Sequence, residues 1–143
     1  MFVKQMSIFL ENRTGRLEAA CHALADRGVN ILALSLADTA DFGILRMIVS
    51  DPEAGAAALR EAGFPVVVNH VLAVEVEDRP GGLVRVLDAL RADGINVEYM
   101  YAFSTVRSRQ AALVFRFEDN AAAVAALQKA GINVMSRVAV LGQ

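Results

Sequence analysis

The sequence predicts an α+β protein made of two ferredoxin-like βαββαβ units, each an antiparallel sheet with its helices on one face. Three observations lead there. The polar stretch LENRTGRL, Leu10 to Leu17, returns as VEDRPGGL, Val76 to Leu83. The hydrophobic period switches between two and 3.6 in the same order in both halves. The 143 residues divide into two such halves with no Gly/Ser-rich linker between them.

The repeat is the organising fact. Leu10–Ile31 laid on Val76–Val97 without a gap is identical at eight of 22 positions, among them Glu11/Glu77, Arg13/Arg79, Gly15/Gly81, Gly28/Gly94 and Asn30/Asn96. After a shift of two residues the echo resumes at Asp51/Asp119, Leu59/Leu127, Gly63/Gly131 and Val66/Val134. The units divide near Asn69 and His70, giving 1–69 and 70–143.

The elements follow in order. Met6, Ile8 and Leu10 share one face of a first strand, as do Leu72, Val74 and Val76. After the polar loop, Leu17, Ala20, Cys21 and Leu24 fall at helical spacing, matched by Leu83, Val86, Leu87 and Leu90. Gly28 and Gly94 stand where a helix stops on a left-handed residue. Ile31–Ala37 and Val97–Phe103 read as second strands, Ile44–Val49 and Ala112–Phe117 as third strands. Asp51-Pro52-Glu53 opens a second helix with a capping carboxylate and a proline in the first turn. In copy two Asp119 or Asn120 caps. Both alanine-rich helices end at a glycine, Gly63 or Gly131. Val66–Val68 and Val134–Val140 complete the units as fourth strands.

The repeated loop carries the chemistry. Its glycine, Gly15 or Gly81, permits a backbone conformation that a side chain would oppose. The helix that follows begins with N–H groups lacking intrahelical acceptors, at the positive end of its dipole, where a carboxylate fits. Asn12 or Asp78 stands at the strand exit, able to accept from an ammonium group or to cap the helix. Together these groups suit both charged ends of a free amino acid.

The motifs NRTGRL with GVNI, and DRPGGL with GINV, resemble those of the ACT domain, a small-molecule regulatory module. The resemblance covers the whole length as a tandem pair with nothing attached. It implies an amino-acid sensor in which the sheets of neighbouring units join edge to edge. It also implies a ligand held between the strand–helix loop of one unit and the second strand of its neighbour. Carried over, the site residues are Asn12, Arg13, Thr14, Gly15, Arg16 and Leu17 with Asn30 and Ile31. In copy two they are Asp78, Arg79, Gly81, Gly82 and Leu83 with Asn96 and Val97. Thr14 replaces the proline seen as Pro80, and Arg16 stands opposite Gly82, so the two seats need not bind equally.

Other function classes find little support. Apolar residues make up 55% and mean hydropathy is +0.41, yet no apolar run reaches the ~18–20 residues of a membrane span. No basic, apolar and small-residue succession marks the Met1 end as a signal, so the cytoplasm is expected. A net charge of −2 gives no footprint for nucleic acid or anionic membrane. One cysteine, Cys21, excludes an internal disulfide and reads as a small core hydrophobe. His22 and His70 have no second ligand at metal spacing and no triad geometry. No metal, cofactor or catalytic group is expected. Asp41-Phe42-Gly43 matches a kinase triplet without any kinase context. Tyr99, Tyr101 and Phe103 share one strand face, as packing or as an apolar wall for a ligand. Arg107-Ser108-Arg109 reads as a solvated hairpin turn. An acylphosphatase would need a fuller phosphate-cradling loop around Arg13, and an RNA-recognition domain needs aromatic motifs that the first and third strands lack. The main alternative to a sensor is a ligand-independent interaction module. In either case the partner would be a second copy of the chain or an enzyme it regulates.

Overall fold

The structure, a computed structural model, describes residues 2–103 and 110–141. The chain forms two compact bodies, Lys4–Asn69 and the chain from His70 onward joined by its first few residues.

In the first unit β1 (Val3–Glu11), β2 (Ile31–Asp38) and β3 (Phe42–Val49) form an antiparallel sheet with β3 in the middle. Met6 lies opposite Met47 and Ile8 opposite Leu45, so one face of the sheet is continuously apolar. Helices α1 (Arg16–Ala25) and α2 (Pro52–Glu61) cover that face. Met6, Ile8, Leu24, Leu45, Met47 and Leu59 make a core with almost no exposure. Gly55 lets α2 come close: a Cβ there would meet Val49, Met6 and Leu24 at 3.2 to 3.4 Å. The fourth strand of this unit is the beginning of β4 (Val66–Glu77), where Phe9 N–H donates to Pro65 O at 3.3 Å and Ser7 Oγ to Asn69 Oδ1 at 3.3 Å.

The second unit repeats the plan. The later part of β4 pairs with β6 (Gln110–Arg116), and β6 with β5 (Tyr99–Ala102). Helices α3 (Gly82–Ala92) and α4 (Asn120–Lys129) cover Leu72, Val74, Phe115 and Phe117. The two rings stack at 5.7 Å.

Two expectations change. Val134–Val140 does not form a strand. Only Val134 bridges to Val74, and the Ser136 hydroxyl then accepts from Ala139 N at 3.1 Å, opening a short helix α5 (Arg137–Leu141). A hydroxyl at that position offers the backbone a helix start in place of a strand ladder. The first-helix stripes are also narrower than the spacing implied. Ala20 and Leu24 are buried, but Leu17 and Leu87 are each more than a third exposed.

Leu59 is fully enclosed, whereas Leu36 on β2 is about half exposed. Leu59→Ala should lower unfolding free energy by about 2–5 kcal/mol in urea titrations. Leu36→Ala should change it by no more than ~0.5 kcal/mol.

Candidate ligand-binding site

Both motif loops turn on a left-handed glycine. Gly15 has φ +90° and Gly81 φ +84°, where a residue with a Cβ is strained by roughly 1–2 kcal/mol. The helix after each loop starts with no side chain bonded to its first N–H groups. The second helix of each unit differs: Asp51 accepts from Ala54 N at 3.1 Å and Asp119 from Ala122 N at 3.0 Å. Thus the two helices that follow the motif lack a cap while the other two long helices have one. A bound carboxylate would supply the missing acceptor.

Neither Asn12 nor Asp78 caps its helix. Asn12 N–H donates to Asp41 O at 2.9 Å, and its side-chain amide reaches Ala40 O at 3.5 Å, tying the loop to the β2–β3 hairpin. Asp41 therefore acts through its backbone. Asp78 is exposed, and its carboxylate makes no hydrogen bond or ion pair with a described residue. Arg13 folds back onto Glu11 at 2.9 Å, and Arg79 pairs with Glu77 in the same way. The repeated Glu-x-Arg is thus an exposed ion pair at the neck of each loop, worth under ~1 kcal/mol to stability.

The space around the loops differs between the copies. In the second unit a cavity of about 440 Å³ opens among the loop Arg79–Gly82, Arg85 on α3, Glu75 and Glu77 on β4, and the turn Gly131–Asn133. Gly82 is obligatory there, because a Cβ would lie 2.0 Å from Glu77 O. The first unit has a hollow of only about 70 Å³ on the β2 side of its loop, where Leu17 faces Leu36 and Asp38. At the place matching the large cavity, the Arg16 guanidinium lies 4.6 Å over the Phe64 ring.

The model of a protein family described as an ACT domain pair matches residues 1–136. The chain belongs to the ACT domain pair family. A crystal structure of a Bacteroides thetaiotaomicron protein is similar over the full chain, with 36% identity, TM-score 0.93 and 98% of that chain covered. The ligand-free regulatory subunit of aspartate kinase from Thermus thermophilus shares the fold at 16% identity and TM-score 0.64, over 89% of this chain and 91% of that one. Clostridium acetobutylicum aspartate kinase, an allosteric enzyme, shares it at 14% identity and TM-score 0.56, over 89% of this chain and 32% of the enzyme's. No curated protein matches the sequence.

Within each unit of this ACT pair, the two halves of the motif lie apart. Glu11 pairs with Phe42 and Asp38 with Gly43 at the loop end of the sheet, whereas Ile31 pairs with Val49 at the other end. Asn30 is held there, its N–H donating to Ser50 Oγ and its carbonyl accepting from Ser50 N, both at 2.9 Å. Asn96 is exposed, and Val97 packs against the second core. Thr14 is exposed, and Leu83 packs partly into that core. On β5, Met100 faces the core, leaving Tyr99 and Tyr101 half-buried on the opposite face. Arg107, Ser108 and Arg109 lie outside the described residues.

No helix among the described residues is long and apolar enough to cross a membrane, and no three His, Cys, Asp or Glu side chains among them gather as metal ligands. Cys21 is half-buried on α1, and that burial pushes its thiol pKa up. The sequence reading named Gly82 but missed Glu75, Arg85, Asn133 and Phe64. The mismatch of Arg16 against Gly82 was the one available signal.

Gly82→Ala should lower the thermal midpoint markedly, since the backbone carbonyl of Glu77 must move. Arg16→Ala at the matching position loses only one stacking contact, about 0.5–1 kcal/mol. Because burial raises the Cys21 pKa, its thiolate fraction at pH 8 is below that of free cysteine. Iodoacetamide should therefore label it more slowly at that pH, with a rate that rises at higher pH than for the free amino acid.

Proposed function

We propose that this ACT pair is a non-catalytic regulatory protein that senses a free amino acid. The observation that carries the proposal is the pairing of motif and missing cap. The two helix starts that follow the repeated loop, and not those of α2 and α4, present N–H groups without a side-chain acceptor. The ligand carboxylate takes that place. The Asp78 carboxylate or the Asn12 side chain takes the ammonium. Asn30, Ile31, Asn96 and Val97 lie at the far end of the strands in their own unit, so this reading has them meet a ligand held by a second copy of the chain. Family membership and the likeness to regulatory subunits support the reading.

Regulation then follows from linkage. A ligand that binds one arrangement of the protein better than another shifts the population towards it, and a second copy of the chain or a regulated enzyme responds to the shift. The proposed setting is the cytoplasm, with no nucleic acid or membrane as partner.

A second reading has its own observation. Phe9, Phe42, Leu34 and Leu36 in the first unit are each about 40–55% exposed. Large apolar side chains left in solvent suit association, so a ligand-independent interaction module is the alternative.

Thermal melts with each of the twenty amino acids at millimolar concentration separate the two. Ligand at about 100 times its Kd stabilises by ~2.7 kcal/mol. The sensor reading expects one amino acid, or one chemical group of them, to raise the midpoint by several degrees, and Asp78→Ala to reduce that rise. A folded protein that no amino acid stabilises contradicts it and leaves the interaction module.

A further inference from the structure

The large cavity of the second unit and the stacked arginine of the first occupy matching places. By the repeat, Arg16 corresponds to Gly82 and Phe64 to Ile132. In the first unit the chain fills the space beside the motif helix with its own side chain. The Arg16 guanidinium covers the buried Phe64 ring, and its Nε is itself buried without a hydrogen-bond acceptor among the described residues. In the second unit position 82 cannot carry any side chain, and Ile132 offers no aromatic face. About 440 Å³ is left open, within the range of small-ligand sites.

The lining of that cavity is suited to a zwitterion. Arg85 uses one Nη2 donor on Ala130 O at 2.9 Å, and the remaining guanidinium donors are available for a carboxylate. Glu75 and Glu77 stand on β4 at the same cavity. Glu77 already holds Arg79, but the half-buried Glu75 side chain makes no hydrogen bond or ion pair with a described residue. The first unit has alanine, Ala19, where the second has Arg85. The cavity lies on the Gly131–Asn133 side of the loop, away from the small β2-side hollow seen in the first unit.

We infer that the chain has one working seat, the cavity of the second unit, in which Arg85 binds the carboxylate of an α-amino acid. Arg16 stacked on Phe64 closes the corresponding place in the first unit. The inference rests on the amino-acid reading above and adds to it which copy binds, on which side of the loop, and through which cation.

Amide spectra of the ¹⁵N-labelled full chain test it, because Gly15, Gly81 and Gly82 report on the two loops separately. Each of the twenty amino acids is titrated in turn. The expected result is that the binding amino acid moves Gly81 and Gly82 while Gly15 stays in place, and that Arg85→Gln, an exposed position, weakens binding at least tenfold. The double variant Arg16→Ala/Ala19→Arg, which copies the second unit into the first, should make Gly15 respond as well. Comparable movement of Gly15 in the unaltered chain, unchanged affinity in Arg85→Gln, or a folded double variant silent at Gly15 overturns this inference and leaves the sensor reading standing. No movement at any loop with any amino acid overturns both.

Discussion

The arrangement depends on one backbone constraint, the left-handed turn at Gly15 and Gly81. That turn takes the chain from a buried strand to a helix within a few residues. It thereby places the helix start beside the end of the sheet. No side chain caps that start; its first N–H, of Arg16 or Gly82, turns back onto the loop carbonyl of Arg13 or Arg79. The alternative was available to this chain, since Asp51 and Asp119 cap their helices with ordinary geometry. That contrast inside each unit is the observation on which the proposed ligand seat rests.

The two copies have resolved the same geometry differently. In copy two the run Arg79-Pro80-Gly81-Gly82 closes tightly, with Gly82 N–H on Arg79 O at 3.0 Å, and its second glycine packs against the Glu77 carbonyl. In copy one the matching bond is longer, 3.4 Å, and the residue there is an arginine with a ring to lie on. A guanidinium on an aromatic face stabilises by about 0.5–1 kcal/mol, against the cost of leaving its buried Nε without an acceptor among the described residues. The first unit thus stabilises the loop by filling it, and the second by eliminating side chains. Of the two hollows described beside the loops, the second unit's is the larger.

Much of this was legible in the sequence because it rests on local rules. Alternation in Met6–Leu10 and Leu72–Val76 specified strand faces, Asp51-Pro52 specified a helix start, and the repeat specified the order of elements. The loop glycines were legible because few other residues tolerate their backbone angles. What was not legible depends on tertiary placement. The cavity needs β4, α3 and the turn after α4 to converge, and Glu75, Arg85 and Asn133 share no spacing that a linear pattern would expose. Leu17 and Leu87 fit a helical stripe yet each stays more than a third exposed. Val134–Val140 alternates like a strand, but Ser136 redirects the chain into a short helix. Asn30 and Asn96 belong to the motif in sequence and lie far from the loop within their own unit.

The most direct measurement is a crystal structure of the chain grown in a mixture of the twenty amino acids. The account predicts amino-acid density in the second-unit cavity, with a carboxylate between Arg85 and the first N–H groups of α3, and the Arg16–Phe64 stack intact. Density confined to the first loop, or a cavity holding only solvent at saturating concentration, would contradict it.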